Sequence, residues 1–80
     1  MEQEEIKMYQ IEHGINYSEH KPGKGWKFYH TYKCSRFGLT DNAITAMELD
    51  LYMDKIDPST ARIFMEKEGS FYFADLYIKQ

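Results

Sequence analysis

Hydrophobic and polar residues alternate most clearly over residues 26–35 of this 80-residue chain. Strict alternation would place Trp26, Phe28, His30, Tyr32 and Cys34 on one face and Lys27, Tyr29, Thr31, Lys33 and Ser35 on the other. A period of two residues is typical of a β-strand, in which successive side chains point to opposite faces. The pattern therefore predicts a strand over 26–35.

Residues 71–78 form a second predicted strand, and this one is apolar on both faces. Its first face holds Tyr72, Ala74, Leu76 and Ile78, and its second holds Phe71, Phe73 and Tyr77. Asp75 interrupts the second face. A strand that is apolar on both sides is usually an inner strand with both faces covered. Because one helix covers only one side of a small sheet, we expect something else to cover the other side.

Two further strands are predicted over 5–12 and 62–67, where the alternation is less regular. Residues 16–25 are rich in turn formers, above all the Pro22-Gly23 pair, and are predicted to connect two strands. The loop Lys67–Gly69 would join the last two strands, with Gly69 forming a bulge at its third position. A helix over 58–68 that ends at Gly69 is the alternative for this region.

Residues 39–56 fit either a helix or a strand. Thr40, Asp41 and Asn42 are typical of a helix start, and helix formers follow. In a helix, one face would hold Ala43, Ile44, Met47 and Leu51, and the other Leu49, Tyr52, Met53 and Ile56. Residues 47–54 also alternate at period two, which favours a strand over 46–54. We favour the helix, near 41–55, and keep the strand as the alternative.

These elements predict an α+β fold, with a small antiparallel sheet of about four strands and one helix on one face. The alternative is an all-β fold, a five-strand meander or small barrel, in which 46–54 is also a strand. A chain this short forms one domain, so we expect residues 1–80 to fold together, with residues 1–4 fraying at the end.

Length and composition exclude several classes of protein. There is no room for a dinucleotide-binding fold, and a single Cys excludes both a disulfide framework and a four-thiolate zinc site. His30 and Cys34 would lie about 13 Å apart along a strand, too far for one metal ion. No long apolar run or secretion signal is present, so we expect a complete, cytoplasmic protein that has neither membrane contact nor a cofactor.

The net charge of −3 is distributed unevenly. Residues 20–39 hold five basic residues and no acidic one, whereas the segments on either side are acidic. Lysines beside aromatic rings can bind single-stranded nucleic acid or phosphate. The candidate residues for that function are Lys21, Lys24, Lys27, Tyr29, Lys33 and Arg36.

The acidic residues of the 41–57 segment suggest a third function. If this segment is a strand, Glu48, Asp50 and Asp54 form a row of carboxylates on one face. Such a row could imitate phosphates and inhibit a nucleic-acid-binding protein. In a helix only Asp50 and Asp54 are neighbours, four residues apart.

Aromatic residues make up 16% of the chain, and seven of them are Tyr. Tyr is enriched at protein interfaces, and no catalytic constellation is recognisable. The sequence therefore favours a small non-enzymatic protein-interaction module that binds a protein partner or itself. The predicted contacts are Phe71, Phe73 and Tyr77, with Tyr29 and Tyr52 as secondary contacts. A homodimer formed through the sheet is the simplest cover for the second face.

Overall fold

The computed structural model describes residues 14–80, and in this part of the chain four strands and one helix form the fold. The strands are β1 (Asn16–Tyr17), β2 (Trp26–Lys33), β3 (Ala61–Glu68) and β4 (Phe71–Lys79). The helix α1 (Asp41–Met53) connects β2 to β3, and a 3-10 turn, Pro58–Thr60, precedes β3.

The four strands make one mixed sheet in the order β1-β3-β4-β2. β4 pairs antiparallel with both β3 and β2, whereas β1 runs parallel to β3. The predicted α+β class is therefore confirmed, with a mostly antiparallel sheet. The all-β alternative is wrong because residues 46–53 lie within α1. The predicted strand 5–12 and the predicted fraying of residues 1–4 lie outside the described residues.

β1 is a correction to the turn predicted over 16–25. Asn16 and Tyr17 pair with Arg62 and Ile63, and the backbone amide of Ser18 donates a hydrogen bond of 2.9 Å to the carbonyl of Ile63. A strand of two residues contains no periodicity that a sequence pattern could reveal. Ile15, immediately before β1, is fully buried in the core.

The β3–β4 connection is tighter than the loop predicted over Lys67–Gly69. Glu68 already pairs with Phe71, so only Gly69 and Ser70 form the turn. Gly69 has a φ of +63°, as the favoured two-residue hairpin turns require. The alternative helix over 58–68 is wrong beyond its first turn. Asp57 caps that turn by accepting a 3.0 Å hydrogen bond from the Ser59 amide.

The predicted start and buried face of α1 are both confirmed. The Thr40 hydroxyl accepts a 3.2 Å hydrogen bond from the Ala43 amide, which caps the helix. The predicted inner face is the buried one, and it consists of Ala43, Ile44, Met47 and Leu51. These side chains pack against Ile63 of β3 and Leu76 of β4 in the main core.

The C-terminus of α1 is a Schellman motif, which turns the chain back towards the core. The Ile56 amide donates to the Leu51 carbonyl at 2.9 Å, and the Lys55 amide donates to the Tyr52 carbonyl at 3.0 Å. Ile56 consequently packs against the core although the helical pattern places it on the outer face. Lys55 adopts a φ of +58° at the position where this motif usually has Gly.

The Lys55→Gly variant should therefore be more stable than the natural chain, by about 1 kcal/mol, because Gly adopts left-handed backbone without a Cβ clash. Urea unfolding followed by circular dichroism measures the change. The control is Thr45→Gly, at an exposed position inside α1, where the same residue should lower stability. A Lys55→Gly variant that is destabilised like the control would refute this account.

A β-bulge at Tyr29 overturns the predicted faces of residues 26–35. Phe28 pairs with Tyr77, but the next paired residue is His30, opposite Leu76, so Tyr29 is an extra residue. Paired residues point to the same face, so the alternation is reversed after the bulge. The strand also ends at Lys33, two residues earlier than predicted.

Candidate functional site

One face of the sheet packs against α1, and we call the opposite face the distal face. It is defined by the side chains that share a face with Tyr77 in the β2–β4–β3 register. Its aromatic members are Trp26, Phe28, Phe64, Phe71, Phe73 and Tyr77. The three predicted contact residues on β4 therefore lie together on this face.

The aromatic residues of the distal face differ in how far they are buried. Phe28 is 51% exposed and Phe71 is 37% exposed. Tyr77 is buried, and its ring meets that of Phe28 edge to face at a centroid distance of 5.7 Å. Phe73 is half-buried, so its exposure lies between that of Phe71 and that of Tyr77. Phe28 and Phe71 therefore present the accessible apolar surface, whereas the Tyr77 ring is buried beside Phe28.

Cationic side chains lie over aromatic rings at both ends of the distal face. The Arg62 guanidinium lies 5.2 Å from the centroid of the Trp26 ring, and Lys79 Nζ lies 5.6 Å from it. At the other end, Lys33 Nζ lies 4.3 Å from the centroid of the Phe71 ring. These distances are within the range of cation–π attraction. Among residues 14–80, no basic side chain lies over the rings in the middle of the distal face.

A cavity of about 370 Å³ opens near the middle of the distal face. Its lining residues are Phe28, Thr31, Glu66, Lys67, Glu68, Phe73 and Asp75. Two aromatic rings and three carboxylates thus surround one space. Sequence reasoning identified Phe73 in this set for a protein interface and missed the acidic residues.

Asp75 and Glu66 form the polar centre of this cavity. Asp75 is only 8% exposed, and its Oδ1 accepts a hydrogen bond from the Thr31 hydroxyl. A hydrogen bond with Asp75, together with the negative charge of that residue, raises the pKa of Glu66. Glu68 raises this pKa further, and the positive charge of Lys21 lowers it. The contact with Asp75 therefore favours the protonated form of the Glu66 carboxyl.

The raised pKa of Glu66 predicts how stability depends on pH. The folded state favours the protonated carboxyl, so this contribution is present at low pH and is lost as pH rises from the ordinary value of 4.5 through the raised one. The Glu66→Gln variant does not undergo this loss. Its melting temperature should exceed that of the natural chain at pH 7, and the difference should shrink towards pH 4.

Thermal unfolding at several pH values measures this difference, with Glu19→Gln as the control at an exposed acidic position. An equal rise in melting temperature in the two variants at pH 7 would show that the loss of a negative charge in general stabilises the variants. The contact of Glu66 with Asp75 would then not be the cause.

A second polar cluster joins β2 to α1 on the helix-packed face. The Tyr32 hydroxyl donates to Asp50 Oδ2 at 2.7 Å. The Tyr29 hydroxyl is placed between the Asp50 carbonyl, at 3.0 Å, and the Asp54 carboxylate. The hydrogen bond with Asp54 raises the pKa of Tyr29 to about 12, and burial followed by the Asp50 contact raises that of Tyr32. Tyr29 therefore contacts the protein's own helix, unlike the external contact predicted for it.

The structure separates the residues predicted to bind nucleic acid. Lys27 and Tyr29 lie on the helix-packed side of β2, whereas Lys33 lies on the distal face. Lys21 and Lys24 belong to the loop before β2, and Arg36 belongs to the loop after it. The shared face predicted for Lys27, Tyr29 and Lys33 is therefore wrong, because the bulge reverses the alternation between them.

The predicted row of carboxylates is also absent from this segment. Because residues 41–53 are helical, Glu48 points in a different direction from Asp50 and Asp54. The two aspartates accept hydrogen bonds from tyrosines of the same chain. Tyr52, the other secondary contact, is exposed on the outer side of α1 beside Leu49 and Met53.

The described residues can be compared with the geometry of metal sites and of membrane-spanning helices. Within residues 14–80, no three His, Cys, Asp or Glu side chains are grouped so that they could hold a metal ion. Cys34 is half-buried against the core, and burial raises the pKa of its thiol. No helix among these residues is long and apolar enough to cross a membrane.

Comparison of the chain with family models, curated proteins and solved structures found no significant match. The distal face is the surface whose geometry indicates a function. The sequence did contain one signal for the cavity, because Asp75 is a single acidic residue in an otherwise apolar strand face. Buried acids are rare unless they are paired, so such a residue marks a position with a specific partner.

Proposed function

We propose that this protein is a small non-enzymatic interaction module, active in the cytoplasm, and that the distal face is its contact surface. The observation that carries the proposal is the exposure of Phe28 and Phe71 on one face of a sheet whose other face is filled by α1. Large apolar side chains exposed on a common face of a sheet are typical of protein contact sites.

The hydrophobic effect would favour binding of a partner to the distal face. Burying apolar surface stabilises a complex by about 25 cal/mol per Å², and aromatic side chains supply the largest area per residue. The distal face combines such rings with charged residues around them, which resembles the apolar centre and polar rim of protein interfaces. A protein partner or a second copy of the chain would bury these rings.

The test compares two distal-face variants with a matched control. Phe28→Ser and Phe71→Ser remove exposed rings from the distal face, whereas Phe37→Ser removes an exposed ring from the loop after β2. All three should keep the circular dichroism spectrum of the natural chain. We expect the distal-face variants alone to lose capture of the partner from an extract of the native host.

Light scattering of the purified protein at micromolar concentration tests self-association in the same series. A dimer that dissociates in Phe71→Ser but not in Phe37→Ser would identify the second copy as the partner. Retention of every binding partner, and of any dimer, by both distal-face variants would remove the distal face as the contact surface.

A further inference from the structure

The central cavity of the distal face is lined by aromatic rings and carboxylates. Resting on the proposed function, we propose that the protein's partner is a basic protein segment, and that one of its Lys or Arg side chains enters the cavity between Phe28 and Phe73. The charge of the lining, the two rings and the position of Asp75 each support this occupant.

The charged groups of the lining are predominantly acidic. Glu66, Glu68 and Asp75 contribute carboxylates, and Lys67 is the only basic residue among them. Lys67 belongs to the opposite face by register, since it pairs with Tyr72, and its Nζ lies 5.6 Å from the centroid of the Tyr72 ring. Its ammonium group therefore lies over Tyr72 on the helix-packed face, which leaves Lys21, from the loop before β2, as the basic residue whose charge acts on Glu66. Three carboxylates thus face one nearby positive charge among the described residues. Charge complementarity accordingly favours a cationic group.

The aromatic walls suit the rest of a basic side chain. Phe28 and Phe73 offer apolar surface to the methylene stem of Lys or Arg, and aromatic rings attract its charged end. The volume of about 370 Å³ lies at the lower end of the range of about 300–1,000 Å³ that is usual for ligand pockets. The cavity is thus large enough for one side chain and too small for a helix or a strand.

The position of Asp75 disfavours a second copy as the occupant. Asp75 lies at the middle of β4, and β4 is flanked by β3 and β2 on the distal face. In a two-fold dimer the same surface meets itself, so residues near the axis face their own copies. Two Asp75 carboxylates would then be buried close together without a cation, which is costly. A basic side chain from a different protein would instead compensate this charge.

Binding of a cation should also release a proton. Asp75 from β4, Glu68 from β3 and Lys21 from the loop before β2 are the charged groups that act on Glu66, and the first two favour its protonated form. A bound cation favours the ionised form and competes with the proton. Affinity should therefore increase as pH rises through the raised pKa of Glu66, and then become constant.

The experiment uses the full chain, labelled with ¹⁵N, and titrates it with blocked tetra-arginine and tetra-lysine peptides while NMR amide shifts are recorded. Tetra-citrulline, which has the shape of the arginine peptide without its charge, is the matched probe. We expect saturable shifts near Phe28, Thr31, Phe73 and Asp75 with the charged peptides only. Shifts spread over the acidic residues of α1, or none at millimolar peptide, would overturn the proposal.

Variants distinguish binding of the peptide in the cavity from non-specific attraction of a basic peptide to an acidic protein. Glu66→Gln and Phe73→Leu should each weaken binding of tetra-arginine by about three- to tenfold, whereas Asp57→Asn, at an exposed acid outside the cavity, should leave it within about twofold. Asp75→Asn should weaken binding most. If the Asp75→Asn variant does not fold, Glu66→Gln still tests the role of the cavity. Equal losses in Asp57→Asn and Glu66→Gln would overturn the assignment.

The outcomes also separate this inference from the proposed function. If the peptides do not bind but Phe71→Ser still abolishes partner capture, the distal face is a contact surface whose partner is not basic. If light scattering finds a dimer that Phe71→Ser dissociates and Glu66→Gln does not, the occupant is a second copy. If Phe28→Ser and Phe71→Ser retain every partner, the proposed function itself fails.

Discussion

Replacing Leu51 by Ala is expected to lower the free energy of unfolding by about 2–5 kcal/mol. Leu51 is fully buried at the C-terminal end of α1 and belongs to the core formed with β3 and β4. Its carbonyl also accepts the amide of Ile56, which closes the helix end. Small domains are stable by only about 5–15 kcal/mol, so this loss would remove a large share of the total. Urea unfolding followed by circular dichroism measures it.

Leu49→Ala is the matched control, and it also distinguishes the two interpretations of this segment. Leu49 is 58% exposed and lies two residues away on the outer side of α1. In a strand, residues 49 and 51 would share one face and lose similar stability, but in a helix they are about 200° apart. We expect Leu49→Ala to change stability by less than about 0.5 kcal/mol. Similar losses in both variants would contradict the helix.

Replacing Asp50 by Ala is expected to cost about 1–3 kcal/mol, because the buried Tyr32 loses the charged acceptor of its hydroxyl. Asp50 and Asp54 lie at the C-terminal end of α1, where the helix dipole disfavours negative charge. The hydroxyls of Tyr29 and Tyr32 offset this disadvantage. The cluster thereby joins the end of the helix to β2.

The control for this prediction is Asp54→Ala. Tyr29 keeps its 3.0 Å hydrogen bond to the Asp50 carbonyl in that variant, and Asp54 is exposed, so the loss should be below about 1 kcal/mol. Guanidinium unfolding of both variants at pH 7 gives the comparison. A loss in Asp54→Ala as large as that in Asp50→Ala would assign the stabilisation to Tyr29 instead of Tyr32.

The two faces of β2 have different roles in the protein. On the helix-packed face, Tyr29 and Tyr32 are used within the protein to hold α1. On the distal face, Phe28 and Thr31 border the cavity around Asp75. The bulge at Tyr29 makes this division possible, because it places Phe28 and Thr31 on the same face although they are three residues apart.

Much of the fold was predictable from local patterns. The alternation over 71–78 predicted β4 and the shared face of Phe71, Phe73 and Tyr77, because strand geometry determines which side chains lie together. The buried face of α1 was predictable for the same kind of reason, since the 3.6-residue repeat groups Ala43, Ile44, Met47 and Leu51. The choice between helix and strand was harder, because the outer side of α1 also carries Leu49, Tyr52 and Met53.

The candidate site was predictable only in part. The aromatic residues of β4 were named for the contact surface, but Phe28, Thr31 and Glu66 were not, because they come from other strands. Their proximity to Asp75 depends on strand order and register, which pair residues more than forty positions apart in β2 and β4. The tyrosines that bind Asp50 and Asp54 were missed for the same reason.

The sequence by itself determined the strands β2, β3 and β4, the residues that form the inner face if 41–53 is helical, and the apolar character of both faces of β4, because these follow from the spacing of neighbouring residues. Only the tertiary structure decided the parallel pairing of β1, the reversal of faces at Tyr29 and the cavity that surrounds Asp75. These features depend on backbone hydrogen bonds between distant strands, and a one-residue shift in that pairing moves every following side chain to the other face.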